Sequence, residues 1–209
     1  LSLGANWYRN TSSSQLVGYA LPAITGFSSV QANLPATVEN KGWEFVAGVE
    51  GKNQGRFYWR TTLNLTVPKN RLLEYPDIES SSYANSYVIG WPLNMSRRYE
   101  YLGVDENGVY QVRDINEDGR YDVNDRHIFV DLNRKYYCGL RQYVQLGDFS
   151  IDLLLEYVNQ QGEGKLGLMG ISVPGGRINQ PTYVMDRWQE PGDHTDMQRF
   201  TASSGLNTP

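Results

Sequence analysis

Oxygen-bearing side chains recur at regular intervals between residues 114 and 125. Counted from the first, they occupy positions 1, 3, 5, 9 and 12 of a twelve-residue stretch, and a main-chain carbonyl is available at position 7. The predicted ligands are Asp114, Asn116, Asp118, the carbonyl of Arg120, Asp122 and Asp125. Ca²⁺ takes about six to eight oxygen ligands, and this spacing is that of a calcium-binding loop. The sequence therefore predicts a calcium site at residues 114–125.

Gly119 supports the same interpretation. It stands at position 6, where such a loop turns sharply and needs a residue that tolerates positive φ. Asp125 replaces the longer glutamate of calcium-sensor loops, and no helical pattern flanks the stretch, so a helix–loop–helix switch is not expected. The alternative is an acidic, solvated turn that binds no ion.

The remaining reactive side chains do not form a catalytic pattern. His194 lies between Asp193 and Asp196, but no second histidine or cysteine is spaced to complete a zinc site. Cys138 has no neighbouring base and no nucleophile motif. We therefore expect neither a metal-dependent nor a thiol-dependent enzyme.

Asp152 and Glu156 share one face of a predicted strand. Residues four apart along a strand lie about 13 Å apart. The two carboxyl groups of a glycosidase lie about 5–9.5 Å apart. The two residues are therefore expected to be polar surface, and the sequence predicts no enzymatic activity.

Composition restricts the class of protein further. The 209 residues include 15 Tyr, 5 Trp and 21 Gly, a content typical of β-proteins with long loops. A net charge of -4 argues against binding to nucleic acid, which requires a basic surface. The single cysteine excludes an internal disulfide framework, and no apolar run reaches the length of a membrane helix. The absence of a long apolar run does not exclude a β-barrel, because membrane-spanning strands need only about ten residues with alternating faces.

Alternating apolar and polar residues predict about five strands. These are residues 1–8, 42–50, 57–65, 139–145 and 149–161. Each has one mainly apolar face and one face of polar or small residues. The apolar faces could form the core of a soluble sheet or face lipid in an outer-membrane barrel, and alternation alone does not distinguish the two.

The connections between these strands alternate in length. Residues 51–55 and 146–148 are short links, whereas residues 9–37, 67–137 and 162 onward are long predicted loops. Counted along the chain, both short links fall on one side of the sheet and all the long ones on the other. Outer-membrane barrels have short periplasmic turns and long extracellular loops, so this pattern favours a barrel.

Several short motifs follow one another along nearly the whole chain. They are Asn40 to Glu44, Trp59 to Asn64, Pro68 to Leu72, Ile89 to Pro92, Tyr99 to Asp105, the loop at Asp114, Asp148 to Ser150 and Arg187 to Asp193. In this order they resemble the late barrel region of the SusC/RagA group of TonB-dependent outer-membrane transporters of Bacteroidetes. The signal, plug domain, TonB box and final strands of that family have no counterpart here, so the resemblance is to part of such a transporter.

The resemblance implies an all-β fold, in which about five antiparallel strands form a segment of a large transmembrane β-barrel with long extracellular loops. Residues 1–209 would be a fragment near the carboxyl end of the barrel. Residues 67–137 would be a long extracellular loop that carries the calcium loop at 114–125, and residues 162–209 a further extracellular loop.

The resemblance also implies a location in the outer membrane and a set of partners. These are membrane lipid, the rest of the barrel and its plug, TonB through the missing amino-terminal part, and a SusD-like surface lipoprotein. The imported substrate would be an oligosaccharide or a peptide. Bound calcium is expected to make the largest loop rigid. The alternative is a secreted, soluble, calcium-stabilised β-sandwich that binds carbohydrate.

Overall fold

The fold consists of strands joined by loops and short 3-10 helices. The computed structural model describes residues 1–20, 29–53, 56–162, 174–175 and 179–201. The strands are β1 (Ser2–Ala20), β2 (Ser29–Asn53), β3 (Phe57–Glu74), β4 (Met95–Arg98), β5 (Tyr101–Val104), β6 (Tyr110–Val112), β7 (Ile128–Asp131), β8 (Arg134–Leu146) and β9 (Phe149–Gln160). The 3-10 helices are Ile78–Ser80, Val123–Asp125 and Thr182–Asp186. Among the described residues, no helix has the length and apolar character needed to cross a membrane.

The long strands form one antiparallel sheet in the order β1-β2-β3-β8-β9. Three of the four neighbouring pairs are consecutive strands of the chain, and the fourth pair, β3 and β8, is separated in the chain by the short strands β4 to β7. The structure therefore confirms the predicted all-β fold with five antiparallel strands. The sheet belongs to the first of two compact units, which comprises Leu1–Met95 and Asp131–Gln161.

Side chains of this sheet alternate between two chemically different faces. Trp7 lies opposite Trp43, and Trp43 lies opposite Val67. These residues belong to the apolar face, whose exposed members include Leu3, Trp7, Trp43, Phe45, Leu63, Val67, Phe149, Ile151, Leu153, Leu155 and Tyr157. The polar face carries, among others, Asn6, Tyr8, Glu44, Thr66, Arg141 and Asp152. Strand alternation thus separates the two chemistries as the sequence predicts.

The strands are longer than the sequence pattern predicts. The predicted loop at residues 9–37 is wrong for residues 9–20 and 29–37, which continue β1 and β2 as paired strands with a shift of register between Ser13 and Gln15. Residues 67–74 and 134–137 likewise belong to β3 and β8. Residues 10–15 of β1 are all polar, with Ser, Thr, Asn and Gln on both faces, so the period-two signal disappears there although the backbone ladder continues. Pro68 and the charged residues Lys69, Arg71, Arg134 and Lys135 interrupt the pattern in β3 and β8.

The short turn predicted at residues 146–148 is confirmed. Leu146 pairs with Phe149, and Gly147 adopts a φ of +60° between them. A residue without Cβ takes this left-handed conformation at little cost, which allows a two-residue turn. Of the predicted loops and turns, residues 21–28, 54–55, 163–173, 176–178 and 202–209 lie outside the described residues.

A small core lies beside the end of β3. Leu72, with 1% of its surface exposed, clusters with Ala36, Val38 and Tyr75. The backbone N–H of Leu72 donates to the carbonyl of Trp91 at 2.8 Å, so the following loop returns to the strand. Partly buried residues complete the cluster, namely Ile78, Tyr83, Tyr87 and Leu93. The loop aromatics here bury each other's surface, which is the ordinary role of large aromatic side chains.

The second unit comprises Ser96–Val130 and Gly162–Pro209. β5 and β6 form an antiparallel hairpin, and β4 and β7 form a second two-stranded sheet. Tyr110, Val112 and Val184 are buried. The predicted calcium loop at 114–125 lies in this unit, after β6, and its last three residues form the 3-10 helix Val123–Asp125.

Candidate calcium loop and polar clefts

Asp114 begins the loop with one carboxylate oxygen in use and one without a partner. Its Oδ2 accepts the backbone N–H of Gly119 at 2.8 Å. Its Oδ1 is buried and has no hydrogen-bond partner among the described residues. Gly119 has a φ of +75°, the left-handed conformation predicted for the sixth position. A buried carboxylate oxygen without a partner is costly, which makes this atom suited to a cation.

The middle of the loop is held by side chains that bond to nearby backbone. Asp118 Oδ1 accepts the N–H of Arg120 at 2.8 Å, and Asn116 Nδ2 donates to Asp118 Oδ2 at 2.9 Å. Glu117 between them has a φ of +56°. Short polar residues that bond two positions ahead close tight turns, so Asn116 and Asp118 fold the loop back on itself.

Asp122 and Asp125 close the loop by reciprocal hydrogen bonds. Asp122 Oδ1 accepts the N–H of Asn124 at 2.7 Å, and Asp125 Oδ2 accepts the N–H of Asp122 at 2.9 Å. Asp125 Oδ1 accepts the N–H of Ile115 at 2.8 Å, which ties the end of the loop to its start. The Asp122 N–H, followed by that of Ile115, holds the pKa of the Asp125 carboxyl below its ordinary value. Asp125 is fully buried, so it is a charged structural anchor.

The six predicted ligands thus lie on one folded loop, but they are not gathered around one point. Within the described part of the chain, no group of three Asp, Glu, His or Cys side chains is arranged to hold a metal ion. Arg120 takes part through its backbone N–H, and no contact of its carbonyl is described. The loop therefore has the predicted residue types and the left-handed turn at Gly119, while backbone N–H groups use both oxygens of Asp125.

Glu100, Arg113 and His127 form a neighbouring polar cluster that sequence spacing did not reveal. Arg113 binds the Glu100 carboxylate through Nε at 2.6 Å and Nη2 at 3.1 Å. His127 lies with Nε2 at 3.1 Å from the same carboxylate and Nδ1 at 3.1 Å from the carbonyl of Asp125. Arg113, more than any other group, lowers the pKa of Glu100. A hairpin prediction centred on Asp105 and Gly108 would have placed Glu100 opposite Arg113.

The contacts of Asp193 and Asp152, two of the residues considered for catalysis, stabilise a turn and the sheet. Asp193 Oδ2 accepts the N–H groups of Gln189 and Glu190, so it caps a turn, and His194 is exposed. Cys138 is a free thiol on the apolar face, opposite Leu65. Asp152 forms an ion pair with Arg141 on the polar face.

The polar face carries a charged cleft near the short turns. Glu50 accepts hydrogen bonds from Tyr58 Oη at 2.8 Å and from Arg60 Nη2 at 2.8 Å. Arg141 makes two hydrogen bonds to Asp152. A cleft of about 340 Å³ is lined by Tyr58, Arg60, Arg141 and Asp152, together with Thr62 and Tyr143. Because each arginine already has a carboxylate partner, the cleft offers paired rather than isolated charge.

A second cleft, of about 330 Å³, is lined mainly by carboxamides. Asn70 donates through Nδ2 to Asn40 Oδ1 at 2.7 Å and accepts the N–H of Leu93 at 2.9 Å. The lining residues are Tyr8, Asn40, Pro68, Lys69, Asn70, Asn94, Asn133, Arg134 and Gln160. No carboxylate is among these described residues, so the cleft presents amide donors and acceptors suited to hydroxyl or peptide groups.

Comparison with known proteins identifies the relatives of this chain. It is 31% identical over 144 residues to TonB-dependent receptor P39 of Formosa agariphila, a match that covers 66% of this chain and 14% of the receptor. It is 22% identical over 226 residues to TonB-dependent receptor P3 of the same organism, covering 95% of this chain and 22% of the receptor. No protein-family model matches the chain.

Solved structures show the same fold. The structure of the RagAB peptide transporter aligns with a TM-score of 0.70 at 17% identity, over 95% of this chain and 24% of that chain. The RagAB peptide importer in the closed-closed state aligns with a TM-score of 0.65 at 16% identity, over 99% of this chain and 24% of that chain.

The fold is therefore that of a segment of a large transporter barrel. The predicted resemblance to SusC/RagA-type TonB-dependent transporters is confirmed. The chain spans only 14% and 22% of the length of the two receptors compared.

Proposed function

We propose that this chain is a transmembrane segment of a TonB-dependent importer in the outer membrane. The observation that carries the proposal is the apolar face, where Trp7, Phe149 and Leu155 expose 55%, 83% and 52% of their surface. A soluble protein rarely leaves an apolar area of this extent uncovered. Hydrocarbon around a barrel would cover it.

The dimensions of the apolar face agree with a membrane. Aromatic residues mark its two ends: Trp7, Trp43 and Tyr157 at one end, Phe57 and Phe149 at the other. The eight steps from Phe149 to Tyr157 span about 27 Å along the strand. A strand tilted by about 40° then covers roughly 21 Å of membrane, near the ~25 Å apolar band of such barrels. Both edge strands, β1 and β9, would pair with further strands of a closed barrel.

A soluble carbohydrate-binding sandwich is less well supported. A sandwich would bury one face of each sheet in a core about 10 Å thick. Here the apolar face of the sheet is exposed along all five strands, and the buried residues of the first unit gather around Leu72. The relatives are receptors in which this segment is a small part, which also favours the importer.

The polar face would line the interior of the barrel. Its clefts offer amides around Asn40 and Asn70 and paired charges around Arg60 and Arg141. Groups of this kind bind the hydroxyls of an oligosaccharide or the backbone of a peptide. A solved neighbour is the RagAB peptide transporter, which supports a peptide as cargo. The oligosaccharide alternative and a SusD-like lipoprotein as the surface partner follow from the resemblance to the SusC/RagA group.

Calcium would serve the extracellular side of the same importer. The partnerless buried Oδ1 of Asp114 and the left-handed Gly119 support a bound cation. Binding would draw Asp118 and Asp122 toward Asp114 and make the loop rigid. A rigid loop could then hold the lipoprotein lid or shape the entrance to the barrel.

Neighbouring leucines of β9 provide a direct test of the membrane proposal. Leu153 lies on the apolar face midway between Phe149 and Tyr157, and Leu154 lies on the polar face opposite Arg141. In the full-length protein, Leu153→Arg is expected to cost about 2–4 kcal/mol of barrel stability, because the charge would face the bilayer centre. Leu154→Arg is the matched control and should fold into the outer membrane at the wild-type level.

The readout is the fraction of each variant recovered as folded barrel in the detergent-solubilised outer membrane. Equal recovery of Leu153→Arg and Leu154→Arg would contradict a lipid-facing apolar face. Recovery of the wild-type protein in the soluble fraction without detergent would contradict the importer proposal as a whole.

A further inference from the structure

Three neighbouring strands carry a row of cations just beyond the aromatic end of the apolar face. Arg9 lies opposite Lys41, and Lys41 lies opposite Lys69. Each stands two residues along its strand from the row that contains Trp7 and Trp43. Residues two apart on a strand point to the same side, so these cations continue the apolar face.

The next row adds a fourth cation and one buried anion. Arg71 lies opposite Glu39. Glu39 is only 3% exposed and accepts Arg9 Nε at 2.5 Å and Lys41 Nζ at 2.7 Å. The side chains of Arg9 and Lys41 remain 56% and 37% exposed. Arg9, Lys41, Lys69, Arg71 and Glu39 are called the basic patch below; four cations and one anion leave it three positive charges.

The position of the basic patch determines which ligand could reach it. It lies about 7 Å along the strands from the tryptophans. In a barrel, aromatic girdles mark the interface, and the long connections lie on the extracellular side. The patch lies beyond the apolar face on the side of Glu74, where β3 ends and the long connection to β8 begins, so it would lie at headgroup depth of the outer leaflet. Lysine and arginine at this depth extend toward anionic headgroups.

The opposite end of the apolar face lacks this charge. Beside Phe57 and Phe149, the described residues carry two cations, Arg56 and Lys52, and one anion, Asp148. Lys52 pairs in register with Tyr58 of the polar face, and the net charge at this end is one positive charge against three in the patch. A general preference of the sheet for basic ends therefore does not explain the patch. Its charge is specific to one end of the apolar face.

We propose that the basic patch binds the phosphate groups of an anionic lipid in the outer leaflet of the outer membrane. This inference rests on the proposed barrel function. Lys69 and Arg71 would supply cations without a carboxylate contact in the described structure, and Arg9 and Lys41 would add the charge left after neutralising Glu39. The lipid would thereby fix the depth of the barrel at this side.

The test uses the full-length protein in nanodiscs of neutral phosphatidylcholine, titrated with diphosphoryl lipid A as the probe. The double variant Lys69→Gln/Arg71→Gln leaves the Arg9–Glu39–Lys41 contacts in place. One cation near an anionic surface is worth about a fivefold change in affinity, so the pair should weaken lipid binding about thirtyfold. Arg56→Gln is the control at the other end of the face and should bind lipid A like the wild type. Lys69→Arg/Arg71→Lys should retain wild-type affinity.

Wild-type affinity in the Lys69→Gln/Arg71→Gln variant would overturn the inference. Equal binding of lipid A from which the phosphates have been removed would overturn it as well, and so would displacement of lipid A by an equal concentration of inorganic phosphate. Failure of the wild-type protein to enter the outer membrane would instead overturn the barrel proposal. The two failures are therefore distinguishable.

Discussion

The indole ring of Trp188 lies directly against Gly108. A β-carbon added to Gly108 would come 2.5 Å from Cδ2 of the ring, and the residue has a φ of +74°. Its carbonyl also accepts the N–H of Arg199 at 2.8 Å. Gly108 thus joins the β5–β6 hairpin to the 188–199 segment within the second unit, at a position where no side chain fits.

Gly108→Ala is therefore expected to destabilise the second unit more than Gly119→Ala. Both glycines have a left-handed φ, which costs an alanine about 1–2 kcal/mol. Only Gly108 adds a clash, worth about 1–3 kcal/mol, since nothing lies within 4 Å of a β-carbon at Gly119. Hydrogen exchange of the amides at 101–112 in the full-length protein measures the difference. Equal loss of protection in both variants would contradict the packing role of Trp188.

Leu72→Ala should loosen the loop that follows β3. Leu72 is 1% exposed in the cluster with Ala36 and Tyr75, and leucine-to-alanine changes in such cores cost about 2–5 kcal/mol. Ile89→Ala is the control, because Ile89 is 51% exposed near the same strand end. Limited proteolysis of residues 75–94 should accelerate in the Leu72 variant alone. Similar cleavage rates in both variants would show that this cluster does not hold the loop.

Removing calcium should reduce the order of residues 114–125. Chelation leaves the buried Oδ1 of Asp114 without a partner, so hydrogen exchange of the loop should rise on addition of a chelator and fall when calcium is restored. Asp118→Ala should abolish this response, and Glu106→Ala, which removes an exposed carboxylate outside the loop, should preserve it. A loop whose exchange is the same with and without calcium in the wild type would contradict the calcium proposal.

The sequence predicted the faces of the sheet better than the lengths of its strands. Alternation between Trp43 and Val49 or between Phe149 and Tyr157 is strong, because one face of these strands is apolar and the other is mainly polar. From Asn10 to Gln15 every residue is polar, so the sequence no longer shows which residues share a face, although the ladder continues to Ala20. Strand ends outside an apolar band leave no periodic signal.

The candidate loop was predictable in its residue types and less so in its contacts. Spacing identified Asp114 and Gly119, whose hydrogen bond the structure contains. Spacing could not show that the N–H of Ile115 donates to Oδ1 of Asp125 and the N–H of Asp122 to Oδ2. Nearly every residue type has the same backbone N–H, so the sequence does not indicate which one donates. Contacts between distant residues, such as Glu100 with His127, depend on the fold and have no local signature.

Acidification should open the base of the β5–β6 hairpin through Glu100. Its carboxylate binds Arg113 and His127, and its carbonyl accepts the N–H of Arg113 at 3.0 Å. Arg113 lowers the pKa of Glu100 in the folded state. The stabilisation from this carboxylate is therefore fully present above the unfolded pKa of about 4.3. It is lost as the pH falls through the lower folded value.

Glu100→Gln isolates this contribution because it keeps the shape of the side chain and removes the titration. Protection of the amides at 101–112, corrected for intrinsic exchange, should fall in the wild type as the pH drops below about 4.3. In the variant, protection should already be reduced at neutral pH and should change less over the same range, because Arg113 then has no carboxylate partner to lose. An acid response of equal size in both proteins would assign the pH dependence to other carboxylates and contradict this role of Glu100.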